Sequence, residues 1–131
     1  RVRSWWTALA SYTFMSSRIA ASNTVAEQDQ NLALTPAHTL SLWTTVTLPG
    51  GVTAGGGAQF MDSVFRNASN TAQVPAYWLL SGTASYAVNS HLSLRLNGSN
   101  LADRGYVDRV GGGHYLPGPG RQVMLTAVVR R

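Results

Sequence analysis

Any chemistry in this chain would have to come from ten cations, five carboxylates and three histidines, and their spacing builds no reactive centre. His38, His91 and His114 lack the short paired spacing that puts two imidazoles on one metal ion. Neither a Gly-x-Ser-x-Gly elbow nor a phosphate loop ending in Gly-Lys occurs. With no cysteine, disulfides and thiolate metal sites are excluded. The chain therefore reads as a non-enzyme with no resident metal and no cofactor. Its distinctive group is guanidinium: every basic residue is arginine, whose planar fork of donors matches anionic oxygens. Arg66, Arg104, Arg109 and Arg121 fall at or near loops, and Arg95 lies within an alternating stretch. The net charge of +5 raises nucleic acid as a partner. The arginines are scattered, however, and not clustered among aromatics as a nucleic-acid face requires.

The elements that carry these residues are strands. Alternation of period two recurs along the chain and sustained helical periodicity does not, so the fold class is all-β. Trp6, Ala8, Ala10, Tyr12 and Phe14 share one face of the first strand, opposite Trp5, Thr7, Leu9, Ser11 and Thr13. A polar loop from Ala20 to Pro36 follows. The second strand, His38 to Leu48, sets Leu40, Leu42, Val46 and Leu48 against Thr39, Ser41, Thr45 and Thr47. Pro49-Gly50-Gly51 makes a tight reversal, because proline fixes its own φ and glycine accepts a positive one. The third strand is expected from about Val52 to Phe65, a polar loop from Arg66 to Pro75, and a fourth strand from Tyr77 to Tyr86. After a short turn at Val88-Asn89-Ser90, the fifth strand alternates Leu92, Leu94 and Leu96 with Ser93, Arg95 and Asn97. A long Gly/Pro loop leads to the sixth strand, Gln122 to Arg131. Gly111 to Gly113, Gly118 and Gly120 are expected to shape this loop through unusual backbone angles.

The connections thus run long, short, long, short, long. Outer-membrane barrels have short periplasmic turns and longer outer loops, which would set both chain ends on the periplasmic side. Trp5, Trp6, Phe65, Tyr77, Trp78 and Tyr86 fall near strand ends, where a membrane girdle would hold them. Composition agrees. Charged residues make up 11% of the chain, against roughly 25% in soluble domains, and no apolar run approaches the length of a membrane helix. The opening Arg1-Val2-Arg3-Ser4 carries neither an initiator methionine nor a signal peptide and reads as the interior of a longer polypeptide.

Asn100-Leu101-Ala102-Asp103, followed by Tyr106-Val107-Asp108 and a Gly/Pro loop into the last strand, resembles the C-terminal end of TonB-dependent outer-membrane receptors. More narrowly, Arg109 to His114 with Pro117-Gly118-Pro119-Gly120-Arg121 resembles the catecholate-type ferric siderophore receptors. The stretches Thr35 to Thr44 and Val74-Pro75-Ala76-Tyr77-Trp78 resemble the same group. The resemblance implies that residues 1–131 are the C-terminal segment, about six antiparallel up-and-down strands, of a 22-stranded transmembrane β-barrel whose plug domain lies outside this sequence. It further implies uptake of a ferric siderophore in the outer membrane of a Gram-negative bacterium, with outer-membrane lipid around the barrel and the TonB complex engaged by N-terminal regions not present here. A ferric catecholate is anionic. Arg66, Arg95, Arg104, Arg109 and Arg121 are then candidates to hold it, Tyr106 and Tyr115 to stack on its rings, and His114 to touch it. The alternatives are a solvated or plug-pairing role for each arginine, a girdle role for each tyrosine and a structural loop role for His114. The family usually ends in an aromatic residue, whereas this chain ends Val128-Val129-Arg130-Arg131 with Arg131 expected on the lipid side; either assembly tolerates that ending or the true C-terminus lies elsewhere.

Two other readings share the alternation: a small outer-membrane barrel with a structural or adhesive role, and a soluble β-sandwich that binds carbohydrate. They differ in their behaviour in water. On the receptor reading, the isolated chain forms a curved open sheet whose first and sixth strands are unpaired edges, so it aggregates or self-pairs without detergent. Size-exclusion chromatography in detergent-free buffer tests this, and a monodisperse monomer there would contradict it.

Overall fold

Ten strands alternate along the described residues, 5–111 and 114–130 of a computed structural model. In chain order they are β1 (Trp6–Phe14), β2 (His38–Leu48), β3 (Val52–Met61), β4 (Val64–Phe65), β5 (Gln73–Val74), β6 (Tyr77–Ala87), β7 (Leu92–Ser99), β8 (Val107–Gly111), β9 (His114–Pro117) and β10 (Gln122–Val129). One antiparallel sheet of six strands runs β1-β2-β3-β6-β7-β10, each strand pairing with its neighbours along the chain. β4–β5 and β8–β9 are separate two-stranded ribbons.

The register decides what each face carries, because residues directly opposite on antiparallel strands share a side. Trp6, Ala8, Ala10, Tyr12 and Phe14 stand beside Val46, Thr44, Leu42, Leu40 and His38. The same side continues through Ala54, Ala58 and Phe60, then Ala84, Leu80 and Trp78, then Leu96 and Leu94, to Leu125 and Ala127. This face is apolar from edge to edge and is flanked by aromatics. Trp6 and Tyr86 lie at the short-turn end, and Tyr12, Phe14, Phe60 and Trp78 at the other. From Trp6 to Phe14 is about 27 Å along the strand, or about 21 Å across a bilayer at a tilt of roughly 40°. The opposite face carries Ser11, Ser41, Thr45, Gln59, Ser81, Thr83, Ser85, Arg95 and Asn97, with Thr83 Oγ1 donating to Asn97 Oδ1 at 2.9 Å.

Apart from Leu101, which folds over Gly82 and Gly98, the described residues leave the apolar face uncovered. Leu125 is 69% and Val129 74% exposed, and Val74 is the one buried apolar residue. The chain exposes 9214 Å², whereas a compact monomer of 14.0 kDa would expose about 6,700 Å². A β-sandwich would cover this face with a second sheet, so the exposed area excludes that reading. A water-soluble sheet could not leave so much apolar surface open; a hydrocarbon solvent suits it.

Both short connections follow the sequence. Gly50 and Gly51 take φ of +82° and +80° in the β2–β3 turn. In the β6–β7 turn the Asn89 carboxamide oxygen accepts the backbone N–H groups of His91 and Leu92, both at 2.8 Å. A row of small residues crosses the apolar face at one level, Ala8–Thr44–Gly56–Gly82–Gly98, each directly opposite the next. On the polar face a side chain at Gly57 would overlap Leu42 O and the Trp43 ring, so glycine lets the indole lie flat on the wall. Trp43 Nε1 donates to Thr45 Oγ1 at 3.0 Å.

Several expectations need correction. The third strand leaves the sheet at Met61 and does not reach Phe65: Asp62 Oδ1 accepts the Ser63 N–H at 2.7 Å, which turns the backbone out of the ladder, and Val64–Phe65 pair with Gln73–Val74 instead. Phe65 is therefore not in the membrane girdle. Tyr77 is not either, because it stands opposite Met61 on the polar face and its hydroxyl meets Met61 Sδ at 3.4 Å. The Gly/Pro loop contains the β8–β9 ribbon, and the fifth strand runs on to Ser99. Arg131, Gly112 and Gly113 lie outside the described residues.

Asn100-Leu101-Ala102-Asp103 is the clasp that closes this last connection. Asn100 is buried, with φ +47°; its Nδ2 donates to Arg104 O (2.9 Å) and Pro119 O (3.1 Å), and its Oδ1 accepts the Arg104 N–H (2.8 Å). Leu101 folds back over the Gly82–Gly98 pair, where a Cβ on Gly98 would come within 2.6 Å of it. Asp103 Oδ1 accepts the Arg121 N–H at 2.8 Å. One residue thus joins both ends of the loop, and asparagine suits it because its carboxamide both donates and accepts and it tolerates positive φ.

Two predictions follow from this architecture in the barrel that carries the sheet. Leu125→Arg places a charge on the apolar face and costs about 2–4 kcal/mol, whereas Met124→Arg, on the polar face, costs little; denaturant unfolding in phospholipid vesicles compares them, and equal costs would contradict the assignment of faces. Asn100→Ala leaves three backbone groups unpaired and strains the backbone, costing about 2–4 kcal/mol. Trypsin should then cut faster after Arg104 and Arg109 but not after Arg18; unchanged cleavage after Arg104 and Arg109 would rule out the clasp.

Candidate functional site at the long-loop end

Seven of the eight candidate residues gather at the long-loop end of the sheet, around β8–β9. Its base is fixed by aromatic packing: Tyr106 meets Tyr77 with centroids 4.7 Å apart at 40°. A side chain at Gly118 would overlap the Tyr106 ring, so glycine is required there. Burial, and then the Asp108 carboxylate, raise the Tyr106 hydroxyl above its usual pKa.

The hairpin is tied sideways to the β4–β5 ribbon. The Arg66 guanidinium lies 5.3 Å from the Tyr115 ring centroid, a cation–π distance, and the Arg66 N–H bonds Ala72 O at 2.8 Å. Asn67 organises the ribbon's turn, its carboxamide oxygen accepting the Thr71 and Ala72 N–H groups at 3.1 and 3.2 Å. The ribbon is in turn tied to the first long loop. Asn70 Oδ1 accepts the Asn31 N–H at 2.8 Å, and Asn70 Nδ2 donates to Asn31 O at 2.9 Å, so one side chain imitates a strand partner. Leu34 N donates to Phe65 O at 2.8 Å beside it.

The remaining candidates are held less firmly. Arg109 Nε lies 3.3 Å from Asp108 Oδ2, and both side chains are largely open to solvent, so the pair adds little stability. Arg104 and Arg121 are fixed through their backbones by Asn100 and Asp103, and their side chains are exposed. His114 lies opposite Gly111 in β8–β9. Arg95 stands apart. It sits in β7 between Ser85 and Thr126 on the polar face, about 13 Å along the strand below Ser99. The histidines are dispersed: His38 bonds the Tyr12 hydroxyl through Nδ1 at 2.8 Å at the long-loop end of β2, while His91 sits in a short turn.

The sequence reading missed the fastening residues Asn31, Asn67 and Asn70, and gave Tyr77 a girdle role. The signal was present in Asn67-Ala68-Ser69-Asn70-Thr71, a concentration of side chains that cap their own backbone.

Residues 1–101 match the family described as TonB dependent receptor-like, beta-barrel. The chain is 35% identical over 132 residues to a probable TonB-dependent receptor, BfrD, of Bordetella pertussis, covering 92% of this chain and 18% of that protein. It is 30% identical over 129 residues to the catecholate siderophore receptor Fiu of Escherichia coli K12, covering 93% of this chain and 17% of that protein. The closed-form crystal structure of Fiu superposes with a TM-score of 0.83 at 26% identity, over 98% of this chain and 19% of that one. The siderophore receptor PiuA of Acinetobacter baumannii gives 0.83 at 28% identity, over 97% and 20%. The chain thus spans less than a fifth of the curated relatives it matches. With its single apolar-faced sheet, alternating connections and 101 matched residues, it belongs to the TonB-dependent receptor β-barrel family and forms a piece of outer-membrane barrel wall.

Proposed function

We propose that residues 1–131 form the C-terminal segment of a barrel of about 22 strands that takes up a ferric siderophore, of the catecholate class, across the outer membrane. A plug and the parts that contact TonB belong to other regions of the same polypeptide, and outer-membrane lipid covers the apolar face. The observation that carries this reading is the likeness, over 93% of the chain, to a receptor named for catecholate siderophores. Transport, not catalysis, is the role the family suggests.

In this reading the long-loop end faces outward and meets the ligand. A ferric catecholate presents negative oxygens and flat rings together. Arg66 stacked on Tyr115 offers a cation and an aromatic at one point, and the exposed Arg104, Arg109 and Arg121 extend the positive field around it. His114 shares the hairpin, and Tyr106 fixes its base. Arg95, lower on the polar face, would meet the ligand only on its way through the lumen.

The test is uptake of iron-55 as its 2,3-dihydroxybenzoate complex by cells expressing the full receptor. Arg66→Ala should raise the half-saturating concentration about tenfold, the loss of one charge-assisted contact worth about 1.4 kcal/mol, while Arg66→Lys retains part of the effect. Surface abundance should be unchanged. Wild-type affinity in Arg66→Ala, and also in a variant with Arg104, Arg109 and Arg121 all changed to Ala, would exclude the loop arginines as ligand contacts.

A further inference from the structure

Between the β4–β5 ribbon and β8 lies a cavity of about 240 Å³ whose character differs from that of the arginine-rich surface. Its walls are apolar and come from separate parts of the chain: Leu34 of the first long loop, Val64 and Val74 of the ribbon, Tyr77 at the top of β6, and Val107 and Val110 of β8. These walls are fixed. Val74 is 4% exposed, Leu34 is held through Phe65 O, and Tyr77 is stacked on Tyr106. Such a space accommodates one aromatic ring with a short arm.

Its polar groups set the sign of the charge it accepts. Asp62, Asp108 and Arg109 line it. Arg109 is paired with Asp108. Asp62 Oδ1 takes the Ser63 N–H and hydroxyl, and no hydrogen bond reaches Oδ2 among the described residues. Two carboxylates against one guanidinium leave an excess of one negative charge beside an apolar pocket. An anionic ring is disfavoured there and a cationic one favoured.

We infer that this cavity is a binding site for a protonated arylalkylamine, a single aromatic ring seated between Val74, Val110 and Tyr77 with its ammonium group at the Asp62 carboxylate. The inference stands apart from siderophore uptake, since an anionic ferric chelate is the wrong charge for it. Arg109 borders both sites, whereas Asp62 is not among the loop arginines, so Asp62→Asn and Arg66→Ala tell the two readings apart.

The experiment uses the full receptor in detergent micelles with methyl-labelled methionine, because Met61 also borders the cavity; Met61→Leu identifies the signal. Phenethylamine should shift the Met61 methyl resonance saturably, and 3-phenylpropionate should need at least five times the concentration for the same shift. Val110→Trp fills the space and should abolish the phenethylamine shift. Asp62→Asn, which keeps the size of the side chain, should narrow the preference to less than twofold, and it provides the decisive reading if Val110→Trp does not fold. Equal responses to the amine and the carboxylate, a shift that persists in a folded Val110→Trp protein, or a preference unchanged by Asp62→Asn would each overturn the assignment.

Discussion

Every part of this molecule depends on the pairing of backbone amides across one sheet. In hydrocarbon an N–H or C=O has no water to turn to, and each one left unpaired costs several kcal/mol. Six strands joined by successive antiparallel pairing meet that demand along most of the sheet; the outer edges of β1 and β10 are open, and residues 77–81 of β6 have no ladder partner on β7. Pairing also fixes the register, and the register sorts the side chains. A slip of one residue between β6 and β7 would move Leu94 and Leu96 into the lumen and Arg95 into lipid. The hydrophobic effect, which organises a soluble domain around its interior, here has an inverted product: the described residues hold almost no buried apolar side chains, and most of the leucines of the sheet lie on the open apolar face.

The wall was readable from the sequence because alternation is local. Leu92, Leu94 and Leu96 against Ser93, Arg95 and Asn97 declare a strand, its two faces and its solvent without reference to any distant residue. The short turns were equally legible, since Pro49-Gly50-Gly51 and Asn89 carry their geometry in their own chemistry. Less was legible where a side chain interrupts the pattern. Val64 and Phe65 continue the apolar character of β3, and only the Asp62 carboxylate, bonded to the next amide, explains why they leave the sheet.

The long-loop end was the least legible part. That Arg66 lies over Tyr115, or that Asn70 bridges to Asn31, depends on contacts between loops far apart in sequence, which no periodicity reports. Seven of the eight candidate positions lie at one end of the sheet, and the alternation set Arg95 on the face opposite Leu92, Leu94 and Leu96. Type alone, however, gave no way to separate the guanidinium stacked on an aromatic from those, such as Arg104 and Arg121, that are positioned only through their backbones. The Asn-Leu-x-Asp element was recognisable as a pattern, but its work as a clasp needed the proximity of Pro119 and Arg121.

The fastening of the loops to one another has a thermodynamic consequence. Ordering a loop residue costs about 1–2 kcal/mol of backbone entropy, and a receptor with slack loops would meet that cost when its ligand arrives, at the expense of affinity. Here the carboxamide of Asn70 joins the first loop to the second, and Arg66 on Tyr115, with Tyr77 on Tyr106, joins the second loop and the barrel rim to the third. The disorder is largely removed when the sheet assembles. On the proposed function, the ligand would meet a preorganised surface, and departures from it would involve three connected loops rather than one.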